Sequence, residues 1–375
     1  MNNLVVFRDQ LLPPSNTFVM QQASFLKNFR PIFCGSKYEG KFNSGPYDHY
    51  IIDRGNRWLN KIEEARFKIF GKVPHYANEL RAKDVKMIHA HFGPDGLLAL
   101  PIAKHLNIPL MVTFHGYEVT VKEELLAGIS YRDKAFIKAK HKLNEDGAMF
   151  IAVSKYLEKE MISRGFDSNK IVQHYIGIDT DYFTGDPSAK KEKVILFVGR
   201  LVEKKGLQYL IDAMETVQKK DDEVKLVIIG DGVLREELTQ RATSKRINCE
   251  FLGVKNSQEI RNWINRAMIF CVPSIIASNG DAESFGIVFA EAQSMGVPVV
   301  SFSSGGIPEV VSHNETGLLA EQKDTAALAE HLLELLGDEE KRKKFSANGK
   351  ELIREKFDIR KQSIKLEEYY SRLIG

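Results

Sequence analysis

Short β-branched runs alternate with longer helical patterns along the whole chain, and this alternation restricts the fold more than any other feature. Strands are predicted at Leu4 to Phe7, Ile32 to Cys34, Met87 to His91, Leu110 to Phe114, Met149 to Val153 and Ile171 to Tyr175. A second series follows at Val194 to Val198, Val224 to Ile229, Glu250 to Leu252, Ile269 to Val272 and Val297 to Phe302. Helical patterns such as Pro94 to His105 and Ser154 to Arg164 lie between them. Strand-helix alternation of this kind is the mark of parallel sheets covered on both faces. The polar stretch Gly177 to Pro187 separates the two series and reads as a linker. The expected architecture is therefore α/β, with two Rossmann-like doubly wound domains facing each other across a cleft. A ligand is expected at the carboxyl ends of the strands. The boundaries are set at 1–178 and 179–355, with a helix at 356–375 packing back on the first domain.

Bulk properties narrow the class. A chain of 375 residues with 43% hydrophobic and 27% charged content suits a globular protein and not a disordered one. No apolar run is long enough to span a bilayer. Met1 to Phe7 enters a strand pattern directly, so no secretory signal is expected. Cys34, Cys249 and Cys271 lack metal or redox spacing and read as thiols of a reducing cytoplasm.

Residues 1–190 carry 26 Lys and Arg against 21 Asp and Glu. The excess gathers at Arg54, Arg57, Lys61, Arg66, Lys68 and Lys72, interleaved with Trp58, Leu59, Ile62, Phe67, Ile69 and Phe70. Such a segment is either a surface helix with a solvated charged face or one that lies on an anionic membrane. Nucleic acid is not an expected partner, because the charge is local and no recognition module is present.

The candidate site centres on Glu283-Ser-Phe-Gly-Ile-Val-Phe-Ala-Glu291. A helix is predicted from Ser284 onward, which would set the two carboxylates about 12 Å apart at the helical rise. That is too far for a glycosidase acid-nucleophile pair. It suits an extended ligand with polar ends and an anion held between them at a helix amino end. Phe197-Val-Gly-Arg-Leu-Val-Glu-Lys-Lys-Gly206 runs from a strand into a glycine-bearing loop, where Arg200 and Lys205 suit a diphosphate. The loop lacks the Gly-Lys-Ser/Thr end of a Walker P-loop.

Taken together, Gly199-Arg200-Leu201 with Lys204-Lys205-Gly206, Gly230-Asp231-Gly232 with Leu234, and Glu283 to Glu291 followed by Met295-Gly-Val-Pro298 resemble the family 4 glycosyltransferases of the GT-B fold. Gly305-Gly306-Ile-Pro-Glu309 with Asn314-Glu-Thr-Gly317 adds to the likeness. The resemblance, strongest over 194–320, is to the type that builds bacterial surface polysaccharide. It implies retaining transfer of a hexose from a nucleotide-diphosphate sugar, UDP-sugar favoured over GDP-sugar. The implied acceptor is a lipid-linked saccharide. No cofactor and no metal are implied.

By the same resemblance, Arg200 and Lys205 hold the leaving diphosphate, Glu283 the sugar hydroxyls and Glu291 the ribose. Backbone groups at Phe285, Gly286 and Ile287 complete the donor site, and the base lies against Glu250 to Val254. His115, in Thr113-Phe-His-Gly-Tyr-Glu118, stands at a strand end and is implied to position the donor sugar. Paired prolines stiffen the first loop, so Ser15, Asn16 and Thr17 are candidates for side-chain contacts to donor or acceptor. Asp179-Thr-Asp181 reads as a linker turn or cap and His89-Ala-His91 as strand-end packing or a substrate contact near His91 to Asp95, not as metal ligands. A cytoplasmic enzyme, peripheral on the inner face of the plasma membrane, is expected. A nucleotide-sugar epimerase and a binding-only subunit are the competing readings.

Overall fold

The structure is a computed structural model; it describes residues 1–11, 17–38, 46–186 and 188–375. The chain divides into two compact units, Met1–Gly177 with Ile359–Gly375, and Ile178–Asp358. The expected divisions at 178/179 and 355/356 thus fall at 177/178 and 358/359. Ile178 and Asp358 bridge each other within the second unit, and Ile178 N donates to Phe357 O at 2.8 Å.

Unit 1 holds a seven-stranded parallel sheet. Its strands are β1 (Asn2–Phe7), β2 (Phe29–Cys34), β3 (His49–Tyr50), β4 (Val85–His91), β5 (Leu110–Phe114), β6 (Met149–Ala152) and β7 (Ile171–Gln173). Their order is β3-β2-β1-β4-β5-β6-β7. The strands are apolar along nearly their whole length, as burial on both faces demands. Leu4, Val6, Phe33, Met87, Met111 and Ile151 form one core with Leu366 and Tyr370 of the helix Ile359–Ile374. Glu367 Oε1 of that helix accepts from the backbone N–H groups of Lys27 and Asn28 at 2.6 and 2.7 Å. Three further helices matter below: α1 (Arg57–Phe70), α2 (Gly93–Leu106) and α3 (Tyr131–Asp146).

Unit 2 repeats the plan with six parallel strands: β8 (Glu192–Val198), β9 (Lys225–Ile229), β10 (Cys249–Gly253), β11 (Ala267–Cys271), β12 (Val299–Phe302) and β13 (Gly317–Ala320). The order is β10-β9-β8-β11-β12-β13. In both sheets the chain order reverses beside the first strand, between β1 and β4 and between β8 and β11. A crevice opens at the carboxyl ends of such strands, because the following loops leave in opposite directions.

The helix predicted from Ser284 begins three residues later, as α4 (Ile287–Ser294). Gly286 caps it at φ +80°, a left-handed conformation that ends helical geometry on its amino side. Glu283 therefore lies in the preceding loop, and the spacing derived from helical rise does not describe the pair.

α1 presents an unusual face. Asn56 caps it through backbone N–H groups of Trp58 and Leu59, Gly71 closes it in the left-handed conformation, and Phe67 is its one buried residue. Trp58, Leu59, Ile62, Ile69 and Phe70 all point to solvent, with Trp58 75% and Phe70 71% exposed. An ordinary surface helix turns such residues inward. Among the described residues, no helix is long and apolar enough to cross a membrane.

Candidate active site

In unit 2 the motif residues meet at the reversal point. The β8 strand delivers Gly199 and Arg200 into a loop tied to the next one, since Gly199 N donates to Ile229 O and Leu201 N to Asp231 O. Arg200 is exposed, and its side chain has no hydrogen-bond or ion-pair partner among the described residues. The loop closes in a short turn, Glu203–Lys205, whose three side chains reach the long segment after β11. Glu203 accepts from the N–H and hydroxyl of Ser278 at 2.9 and 2.7 Å. Lys204 pairs with Asp281 at 3.0 Å, and Lys205 with Glu283. This ladder orders the Glu283 loop against the loop that follows β8.

Glu283 is held from its other side by glycines. Gly306 N donates to Glu283 O at 2.8 Å, and a Cβ at Gly306 would stand 2.0 Å from Ser284 O. Only glycine allows that approach, which accounts for the Gly305-Gly306 pair in physical terms. Burial alone would raise the Glu283 carboxyl; Lys205, Lys204 and Arg200 outweigh it and hold it at about 2. Glu283 is thus an anion at every physiological pH, able only to accept hydrogen bonds.

Glu291 differs. It lies on the second turn of α4, has no hydrogen-bond or ion-pair partner among the described residues, and is raised by burial to about 8. Between the two carboxylates stands the amino end of α4, where no intrahelical carbonyl can reach the N–H of Ile287. The Phe285 side chain is buried against Phe357 at 5.3 Å between centroids, so any ligand contact there falls to the backbone. Val254, one residue beyond β10, is 78% exposed.

In unit 1, β5 ends at Phe114 and places His115 beside His91, the last residue of β4, and Phe92, which follows it. His91 Nδ1 and His115 Nε2 are 3.1 Å apart, and the Phe92 and His115 rings are 4.4 Å apart. Burial, reinforced by Arg8 and His89, holds the His115 imidazole well below its ordinary pKa, and it stays neutral. His115 Nδ1 is buried and lacks a hydrogen-bond partner among the described residues. A buried polar atom left unpaired costs free energy unless something occupies the place it addresses.

Residues without a sequence signal hold His115 in place. Glu118, 2% exposed, accepts from the backbone N–H of His115 at 2.8 Å and of Gly116 at 3.0 Å. Burial raises its carboxyl to about 7 against the pull of those bonds. Arg8 Nη1 donates to His91 O at 2.9 Å and to Asp95 Oδ2 at 2.7 Å, with its guanidinium 4.2 Å from the Phe92 ring centroid. Phe92 has φ +74°, a strained conformation for a side chain of this size and one that gathers at functional positions.

Ser15 and Asn16 lie outside the described residues, as does the Thr17 side chain. His89 bonds Tyr370 and Thr113 through its two ring nitrogens, both at 2.7 Å, which accounts for the pair with His91 as packing. Asp179 Oδ1 accepts from the backbone N–H of Asp181 at 3.2 Å, a turn within the linker. Among the described residues, no group of three or more His, Cys, Asp or Glu could hold a metal ion.

Two Rossmann-like units, each with its polar residues at the strand reversal, define the class of the GT-B glycosyltransferases. Family models place the chain within it: "Glycosyltransferase Family 4" matches residues 28–182 and "Glycosyl transferases group 1" residues 180–352. The chain belongs to the family 4 glycosyltransferases. It is 32% identical over 260 residues to the amylovoran biosynthesis glycosyltransferase AmsK of Erwinia amylovora, covering 68% of this chain and 61% of that one. It is 36% identical over 212 residues to a GDP-mannose-dependent monoacylated alpha-(1-6)-phosphatidylinositol monomannoside mannosyltransferase of Corynebacterium glutamicum, covering 53% and 55%. The matches thus span less than two thirds of these two relatives' lengths. Among solved structures, HepE of Anabaena in complex with UDP covers 100% of both chains with a TM-score of 0.78 at 18% identity, a likeness of fold.

Proposed function

We propose that this chain is a retaining, metal-independent glycosyltransferase. It moves a hexose from a nucleotide-diphosphate sugar, a UDP-sugar in preference to a GDP-sugar, to a lipid-linked saccharide in cell-surface polysaccharide biosynthesis. The observation that carries the reading is the Arg200, Lys205 and Glu283 cluster at the reversal point of the second sheet. Two cations there suit a leaving diphosphate, and a permanent carboxylate suits sugar hydroxyls. The bond from C1 of the hexose to the diphosphate oxygen breaks with its electrons going to the diphosphate. The acceptor oxygen then bonds C1 on the same face, and its proton passes to a diphosphate oxygen. Arg200 and Lys205 stabilise the charge that develops. His115 offers Nδ1 to a sugar hydroxyl.

UDP is favoured on the likeness to HepE, while the mannosyltransferase named above uses GDP-mannose. AmsK supports surface polysaccharide as the product class. The outward apolar and basic face of α1 supports a peripheral enzyme on the inner face of the plasma membrane, its chain in the cytoplasm. The test is incubation with UDP- and GDP-hexoses, with and without a lipid-linked saccharide fraction. Acceptor-dependent release of nucleoside diphosphate and a product of unchanged anomeric configuration are expected, and a chelator should leave the rate unaltered. Inversion at C1, strict dependence on added magnesium or manganese, or conversion of the donor alone to its epimer would each overturn the corresponding part.

The Glu291 carboxyl gives a further expected result. Ribose hydroxyls donate to it best when it is ionised, and burial keeps it protonated up to about pH 8. Nucleoside diphosphate affinity should therefore rise from pH 6 to pH 9, with a proton released on binding at neutral pH. Calorimetry in buffers of different ionisation enthalpy reads that proton directly, and Glu291→Gln should abolish it. The stability sign is the reverse. A carboxyl raised in the folded state destabilises increasingly above its unfolded value near 4.5 and levels off past about 8. Glu291→Gln should thus melt higher than wild type at pH 8 by more than at pH 5.

A further inference from the structure

Within unit 1 a groove of about 450 Å³ runs between the end of α1, the length of α2 and the outer face of α3. Its volume is in the range of small-ligand sites. Leu97, Leu98 and Pro101 of α2 form one wall and Ala135 and Ala139 of α3 the other. Ile69 and Phe70, on the outward stripe of α1, form its lip. Four cations line it, Lys68, Lys104, Arg132 and Lys142, of which Lys68 pairs with Asp9 and Glu64, Arg132 with Asp95 and Asp9, and Lys104 with Asp146. An apolar trough with cationic donors along its rim, Lys142 without an ion-pair partner among the described residues, matches an anionic amphiphile and not a neutral sugar or a bare chain.

The two ends of the groove are not equivalent. Arg132 bonds Asp95 Oδ1 through Nη1 at 2.9 Å, and that same atom lies 3.7 Å from Asp9. Nη2 and Nε of Arg132 keep their donor capacity, since no hydrogen bond engages them among the described residues. Lys68 Nζ is held by both oxygens of Asp9, at 2.8 and 2.9 Å, and by Glu64 at 2.7 Å. From Arg132 the contacts run through Asp95 and Arg8 to His91, and from His91 to His115. The other end, at Lys104 and Lys142, lies away from that chain of contacts. Lys142 has no ion-pair partner among the described residues, while Lys104 pairs with Asp146 at 2.6 Å.

We propose that this groove holds the lipid anchor of the acceptor, with its phosphate on Arg132, beside Lys68, and its hydrocarbon chain between α2 and α3. The chain leaves over Ile69 and Phe70, where the apolar stripe of α1 continues into the bilayer. Lys104 and Lys142 meet the headgroups of surrounding lipid. The proposal rests on the lipid-linked acceptor of the preceding section and adds the place where that lipid binds. It also gives α1 a second task, since the helix that meets the membrane forms one side of the path out of it.

The test uses dodecyl phosphate below its micelle concentration, with dodecanol and inorganic phosphate as separate arms, on the full chain. Wild type should bind dodecyl phosphate saturably and at least tenfold more tightly than either control. Ala135→Trp fills the groove and should weaken that binding tenfold or more, and Leu97→Trp should do the same from the opposite wall if the first variant fails to fold. Lys68→Gln should weaken dodecyl phosphate about threefold and leave dodecanol unchanged. Unchanged binding in both folded tryptophan variants, or equal affinity for all three probes, overturns the proposal. Displacement by short-chain phosphatidylglycerol as effective as by dodecyl phosphate itself would assign the groove to bulk lipid and overturn it as well. UDP binding is measured on the same preparations. Wild type that binds UDP but no dodecyl phosphate sinks the groove alone, whereas absence of sugar transfer with intact dodecyl phosphate binding sinks the transferase reading alone.

Discussion

Lys205→Ala should lower the rate of sugar transfer by about 10²- to 10³-fold, the loss typical when one preorganised donor to developing charge is removed. The residue has two tasks in sequence. Its ammonium is held by Glu283, which keeps a flexible side chain in the turn after β8 aimed toward the segment after β11. On the proposed reading the same ammonium meets the donor diphosphate, and its attraction grows as the leaving oxygens gain charge. The loss should therefore fall on kcat more than on KM, because uniform binding of the ground state is not what the lysine supplies. Glu283→Gln tests the other half of the pair. It removes the permanent carboxylate that the proposed reading assigns to the sugar hydroxyls and should raise KM and lower kcat together.

The same pair makes a stability statement that does not depend on activity. Glu283 is depressed in the folded chain to about 2, so its contribution is fully present above the unfolded value near 4.5 and is lost as pH falls toward about 2. Lys205→Ala should destabilise the chain at pH 7 by roughly 1–3 kcal/mol, the cost of leaving a largely buried charged group without its partner. The gap between variant and wild type should close as the pH is taken below 4. A variant with full transfer and an unaltered melting profile would remove Lys205 and Glu283 from the site.

What the sequence revealed about this site follows its local physics. Arg200, Lys205, Glu283, Glu291 and His115 were readable as candidates because each lies in a short glycine-bearing motif, which for Arg200, Lys205 and His115 follows directly on a strand. Arg8, Asp95, Arg132 and Glu118 were not. For Arg8, Asp95 and Arg132 the significance comes from burial and from contacts across up to 87 positions of chain, which follow from strand order and leave no spacing to read, and for Glu118 from its burial beside His115 and Gly116. The start of α4 was misplaced because Ser284 and Phe285 are acceptable helix residues. Only the backbone tie to Gly306 and the left-handed Gly286 hold them out of it. The two short strands β3 and β13 escaped notice, since two or four residues carry too little pattern to stand out from a loop. The α1 segment shows a further limit. Its amphipathic pattern was plain, but a pattern alone does not say which face is inward. Phe67 is the buried residue, and the longer apolar stripe is left outside.

His115→Ala should reduce kcat/KM for the donor by about 10- to 150-fold, the equivalent of one buried hydrogen bond whose partner is then unpaired. The imidazole is neutral throughout, so its single ring proton sits either on Nδ1 or on Nε2. If Nε2 donates to His91 Nδ1, His115 Nδ1 is an acceptor for a sugar hydroxyl; if His91 donates, His115 Nδ1 is the donor. Both arrangements place a hydrogen bond at the one nitrogen the protein leaves open. Because burial and Arg8 hold the pKa well below its ordinary value, rate against pH should show no imidazole titration between pH 6 and 8. This separates positioning from general-base catalysis, which would require a pKa near the working pH. Glu118→Gln is the companion variant, since it retains the side-chain volume while replacing one of the two oxygens that accept from His115 and Gly116 N–H. It should reproduce part of the His115→Ala loss through misplaced geometry and should remove any rate change near pH 7 that arises from Glu118 itself. A rate that falls with an imidazole titration near pH 6.5, and whose titration disappears in His115→Ala, would make His115 a proton carrier and reject its assignment as a neutral contact to the sugar.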